Sequence, residues 1–176
     1  MECFKTFRKA PPSQLIMTLL VKNEESMLEE NLLFHKAMGV DSFIITDNNS
    51  TDSTPEIIRK YKQKGWIKEV IEEKATDYEQ KEWVDRMIWK AKTIYKADWI
   101  INADADELWY SPSGNLKTDL SATHANVLNC EMRSVYPEEN RPFWQWDKVV
   151  KPVSEPERYD LSTYSIFERQ NKKVIH

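Results

Sequence analysis

Four short apolar runs, three of them followed by a stretch with helical spacing, constrain this chain more than any other feature: Leu15–Val21, Ser42–Thr46, Trp66–Ile71 and Trp99–Ala103. Ser42–Thr46 is β-branched and apolar on both parities, as expected of a strand covered on both faces. After Leu15–Val21, Asn23 is placed to cap a helix with Glu24 and Glu25 in its positive first turn. Met27, Leu28, Asn31, Leu32, Phe34, His35 and Met38 continue at helical spacing to Gly39, which predicts a helix over 24–38. After the second run, Thr54-Pro55-Glu56 is an N-cap with proline at the first helical position; Ile57, Ile58 and Tyr61 form the apolar stripe and Gly65 ends it. A third helix is expected over Tyr78–Lys96, with Trp83, Met87, Ile88, Ala91, Ile94 and Tyr95 inward. The order βαβαβαβ predicts an α/β fold of three layers, α/β/α, around a mainly parallel, Rossmann-like sheet.

At 176 residues one domain, 1–176, is the default. After Asp106 the alternation stops. Val127–Met132 is a candidate strand, and Pro137, Pro142, Pro152 and Pro156 interrupt a section that also holds Trp144 and Trp146. The chain ends at Lys172–His176 in what reads as the start of a strand, so a C-terminally truncated piece is expected. With 25 Lys and Arg against 29 Asp and Glu, the net charge is −4, and no basic field exists to hold a nucleic acid. Gly39, Gly65 and Gly114 are the three glycines and lie far apart, which excludes both the GxGxxG and the GxxxxGK[ST] phosphate loops. Cys3 and Cys130 have neither metal-ligand spacing nor the number of a disulfide framework, so a reducing compartment is expected. No apolar run approaches the roughly 20 residues of a membrane span, and Met1–Lys9 lacks a signal-peptide core. The expectation is a cytoplasmic protein with any membrane contact peripheral.

Ligands of open parallel sheets sit outside the carboxyl ends of the strands, where loops meet helix N-termini. Three polar loops fall there: Lys22 to Glu25, Asp47 to Asp52, and Asn102 to Glu107. Asp104 and Asp106 are two residues apart directly after a buried strand; in an extended segment both carboxylates project the same way and can share a hard cation, magnesium or manganese. A lone DxD is ordinarily a solvated acidic turn, and it is the position beside two other polar loops that favours the cation. A calcium loop starting at Asn102 fails, because Glu107 stands where glycine is required and Ser113 where glutamate is required. Asp47 suits either a ribose or base contact or an Asx turn, and Asp52 or Ser53 a helix cap. Arg86 could reach a diphosphate or sit in a salt bridge. His35 fits a satisfied core histidine better than a ligand, His124 carries no signal, and no GxSxG, HExxH or Cys/His arrangement appears.

Taken together, VKNEE (Val21–Glu25), the His35-to-Gly39 turn, ITDNNSTDSTPEII (Ile45–Ile58) and INADADELW (Ile101–Trp109) resemble glycosyltransferase family 2 and related proteins of the GT-A, nucleotide-diphospho-sugar transferase fold, in a subgroup with KNE, DNxSTD and DxDE motifs. The resemblance covers about residues 14–110, which would be the nucleotide-sugar-binding half, with 111–176 on the acceptor side. It implies a metal-dependent, inverting, non-processive transfer of a sugar from a nucleotide-diphosphate sugar to a glycan or lipid-linked acceptor, as in polysaccharide biosynthesis. It also implies Mn2+ or Mg2+ held by Asp104, Asp106 and His176, and a nucleotide bordered by Lys22, Asn23, Glu24, Asp47, Trp83 and Arg86. The catalytic base is not assigned; Glu131, Glu138, Glu139 and Asp147 are the carboxylates downstream. Asn48 and Asn49 replace the Asp and Gly of the common DDGSTDGT loop, and no QxxRW motif follows, against a processive synthase. Two other functions compete: a sugar nucleotidyltransferase, which lacks its glycine-rich basic first loop here, and a non-catalytic nucleotide- or carbohydrate-binding module, which would suit the seven tryptophans.

Overall fold

The computed structural model describes residues 14–74, 80–131, 133, 135–136, 138–146, 148 and 172–175. The chain divides into two compact units, one running to Asn126 and one from Val127 to Ile175. In the first unit β1 (Leu15–Val21), β2 (Ser42–Asp47), β3 (Ile67–Glu72) and β4 (Trp99–Ala103) form a parallel sheet in the order β3-β2-β1-β4. The crossovers that parallel strands require are α1 (Leu28–Ala37), α2 (Thr54–Gln63) and α3 (Gln80–Thr93).

β1 and β2 are buried along nearly their whole length because both faces are covered. Ile16 and Ile44 pack with Ile100 against Met87 and Ala91 of α3. Leu15, Met17, Leu19, Phe43 and Ile45, on the other parity, are equally buried. On that side α1 and α2 touch, tied by Tyr61 Oη donating to Glu29 Oε1 at 2.8 Å and by the Lys60–Glu29 ion pair. The three-layer α/β arrangement is therefore the expected one. Val21, Asp47 and Glu72 lie side by side in register, so the strand ends form one carboxyl edge.

Several boundaries differ from expectation. α1 begins at Leu28, not residue 24, because Asn23 has a φ of 56° and its side chain is spent across loops, while residues 24–28 form a turn closed by Leu28 N–H donating to Glu24 O. On α3, Trp83, Met87 and Ala91 are buried, but Ile94, in the turn directly after the helix, is 52% exposed. Gly39 and Gly65 do close α1 and α2, with φ of 96° and 77°. A short helix, α4 (Leu116–Ser121), is an element the hydrophobic pattern did not indicate; Asn115 caps it by accepting from the N–H groups of Lys117 and Thr118. In the second unit β5 (Leu128–Glu131) and β6 (Lys172–Ile175) pair antiparallel, and Phe143–Gln145 makes a 3₁₀ turn. Among the described residues no helix is long and apolar enough to cross a membrane.

Candidate functional site

The two loops that follow β1 and β2 are laced together by their motif residues. Asn23 N–H donates to Ser50 Oγ at 2.9 Å, and Asn23 Oδ1 accepts from Thr51 N–H at 2.8 Å. Glu24 N–H donates to Thr54 Oγ1 at 2.8 Å, Glu25 N–H to Asp52 Oδ2 at 3.1 Å, and Ser53 N–H to Glu25 Oε2 at 2.9 Å. Asp52 Oδ1 also accepts from Thr54 N–H at 2.9 Å, so both its oxygens bind loop backbone; the N-cap of α2 is Ser53, whose side chain makes no capping bond. Asp47, at the end of β2, accepts the N–H and the hydroxyl of Ser50 on Oδ1 at 3.1 and 2.6 Å. That is the Asx-type turn; its Oδ2 accepts no hydrogen bond among the described residues.

The third loop departs from β4 as a turn rather than an extended segment: Glu107 N–H donates to Asp104 O at 3.1 Å, and Glu107 Oε2 accepts from Asp104 N–H at 3.2 Å. Asp104 is half-buried, Ala105 buried and Asp106 exposed. The expectation that an extended chain points both carboxylates one way is thus corrected, since an i,i+2 pair in a turn need not share a face. Burial raises the proton affinity of the Glu24 carboxyl, and the negative charges of Asp106, Asp52 and Asp104 raise it further. The Glu24 carboxyl on the first loop therefore feels acids of the other two loops at this edge.

Lys22 and Asn23 are exposed at the end of β1. Arg86, half-buried on α3, is ion-paired with Glu73 at 2.7 Å, and Glu73 N–H donates to Asp47 O at 2.9 Å, which brings the guanidinium to the same edge. Its Nε is buried with no hydrogen-bond partner among the described residues. Trp83 is buried at 4% exposure, a core side chain rather than an open stacking face. His35 is fully buried, as expected, and with Asn31 it contacts the acidic loop: Asn31 Nδ2 donates to Ala105 O at 2.9 Å, and His35 Nε2 accepts from Trp109 N–H at 2.9 Å. Sequence reasoning placed both residues on the inward helix face but gave neither a part in the site; the available signal was a polar i,i+4 pair on an otherwise apolar stripe.

Of the residues downstream, Asp147 and His176 lie outside the described residues. Glu138 is held by Arg141 at 3.1 Å and Lys148 at 3.1 Å, and Glu131 by Arg133 at 3.2 Å. Trp146 packs edge-on against Phe143 and donates its indole N–H to Arg141 O. Among the described residues no three His, Cys, Asp or Glu side chains are arranged to hold a metal by themselves. The donor set nevertheless fits a hard cation that takes part of its coordination from a ligand: the carboxylates of Asp104 and Asp106 supply only oxygen, and the crowding felt by Glu24 is what a cation would relieve.

The profile of glycosyltransferase family 92 matches residues 17–174, where the motifs alone had indicated family 2. No curated protein sequence matches the chain. Among solved structures, S. aureus TarS 1–349 in complex with UDP aligns at 18% identity and a TM-score of 0.49, over 62% of this chain and 31% of that one. A mannosyltransferase from Pyrobaculum calidifontis in complex with GDP-Man and Mn2+ aligns at 19% identity and a TM-score of 0.45, over 62% and 30%. The chain thus spans about a third of the length of the solved proteins it aligns with.

Proposed function

The chain belongs to glycosyltransferase family 92, and from that premise we propose that the carboxyl edge of its sheet is the donor site of a metal-dependent, GT-A-type transferase. The reaction moves a sugar from a nucleotide-diphosphate sugar to a hydroxyl of a glycan or lipid-linked acceptor, with inversion and one sugar at a time. The observation that supports this reading is that, beyond the effect of burial, Asp106, Asp52 and Asp104 raise the proton affinity of the Glu24 carboxyl, at the edge where Asp47 ends its strand.

Asp104 and Asp106 hold the cation, and Asp47 uses Oδ2 to accept from the ribose or the base, since Oδ1 is occupied by Ser50. Lys22 and Arg86 supply positive charge beside the diphosphate. Asn23 acts indirectly, by fixing the loop that carries Glu24 against the loop that carries Asp47. Held by Asp104 and Asp106, Mn2+ or Mg2+ would supply positive charge against the charge that develops on the diphosphate as the glycosidic bond breaks. The acceptor oxygen forms the new bond to the anomeric carbon, the electron pair of the old bond leaves on the diphosphate oxygen, and the hydroxyl proton passes to a carboxylate base.

A thermal-shift panel of UDP, GDP, CMP and dTDP, each with and without Mn2+, tests the reading. One nucleotide should raise the melting temperature only with metal, because a ligand of the native state stabilises it by mass action. No shift with any nucleotide in either condition would remove the donor site.

A further inference from the structure

Asn31 and His35 form a neutral polar clamp between α1 and the loop that follows β4. Both side chains are at 0% exposure. The Asn31 amide donates to Ala105 O at 2.9 Å and Glu107 O at 3.0 Å, so one side chain pins the carbonyls on either side of Asp106. His35 Nε2 accepts the backbone N–H of Trp109 at 2.9 Å; the proton therefore sits on Nδ1, which donates to Asn31 at 2.9 Å (O) and 3.0 Å (Oδ1). The bonds of Asn31 to Ala105 O and to His35 are buried, those to Glu107 O and Trp109 N–H part-buried, and a shift of the loop would leave the fully buried Asn31 and His35 side chains without their partners.

Apolar side chains would pack α1 onto the sheet equally well, as Leu28 and Leu32 do on the same face. What an amide and an imidazole add is fixed backbone geometry across a turn whose carboxylates repel those of Glu24. We infer that Asn31 and His35 are positioning residues that hold residues 104–109 so that Asp104 and Asp106 stay preorganised for a shared divalent cation. The inference rests on the donor-site reading above, and it adds no charge of its own to the site.

The test compares wild type with Asn31→Leu, His35→Phe, His35→Gln and Asp106→Asn, with Mn2+ as the probe, alone and with UDP or GDP added. Free Mn2+ is followed by electron paramagnetic resonance, the Trp109 amide by hydrogen exchange, and folding by near-UV circular dichroism. Folded Asn31→Leu should bind Mn2+ about 10–100-fold more weakly, the range seen when groups that orient metal ligands are lost. His35→Phe should speed exchange at Trp109, and His35→Gln, which can still accept from that N–H, should restore part of both effects. Wild-type Mn2+ affinity in folded Asn31→Leu and His35→Phe would overturn the inference; should Asn31→Leu not fold, Asn31→Ser takes its place. Failure of wild type to bind Mn2+ either alone or with UDP or GDP, or unchanged binding by Asp106→Asn, would instead sink the donor-site reading. The clamp would then be judged on exchange alone, and unaltered Trp109 exchange in folded His35→Phe would overturn it.

Discussion

Burial pushes the His35 imidazole down from 6.5 to about 4, against the smaller opposing effect of its bond to Asn31. The unfolded chain therefore takes up a proton that the folded chain refuses. This stability is present above about pH 6.5 and falls as pH drops toward about 4, by up to about 3 kcal/mol for a shift of this size. Urea denaturation at pH 7 and pH 5 should show the loss in wild type and a much smaller one in His35→Gln; equal slopes would mean that His35 is not buried neutral. That histidine was recognisable in the sequence as a core residue, because it falls on the helical stripe with Leu28, Asn31 and Leu32. Its partner was not, since Trp109 lies 74 positions away and only the fold brings the two together. Asp47 and Asp104 were legible for the opposite reason: each stands directly after an apolar run, where the carboxyl edge of a parallel sheet has to be.

At the scale of elements, local signals worked where the partner was also local. Gly39 and Gly65 ended their helices as their backbone freedom predicts, and Pro55 opened α2. Asn23 misled because its carboxamide turns to Thr51 on another loop instead of capping α1, which moved the helix start four residues. The same logic separates two glycines that look alike in sequence. A Cβ at Gly39 would come within 2.7 Å of Asn115 Oδ1, the cap of α4, whereas one at Gly65 meets nothing within 4 Å. Both sit at positive φ, so Gly65→Ala should cost about 1–2 kcal/mol from backbone strain alone. Gly39→Ala should cost about 1 kcal/mol or more beyond that, and on the order of 3 °C more in melting temperature for a chain of this size. Equal losses in the two variants would show that the Gly39–Asn115 approach is relaxed without strain.

For the molecule as a whole, the alternation of strands and helices along the chain and the edge at which acids gather followed from hydrophobic pattern, while the order of strands in the sheet came from the structure and the family from the profile match over residues 17–174. Asn23, Ser50, Asp52 and Thr54 lace the loops, and in the proposed site the carboxylates beside them meet the ligand. Spacing cannot separate those two roles, because a structural hydrogen bond and a ligand contact call for the same side chains. The central claim is that metal and nucleotide bind together at this edge through Asp104 and Asp106. It is tested most directly by calorimetric titration of the nucleotide diphosphate selected by thermal shift, with and without Mn2+, into wild type and Asp106→Asn. Metal should tighten nucleotide binding in wild type by about tenfold or more, a coupling of about 1.4 kcal/mol, and the coupling should vanish in Asp106→Asn. The same metal-dependent gain in the variant, or none in wild type, would contradict the account.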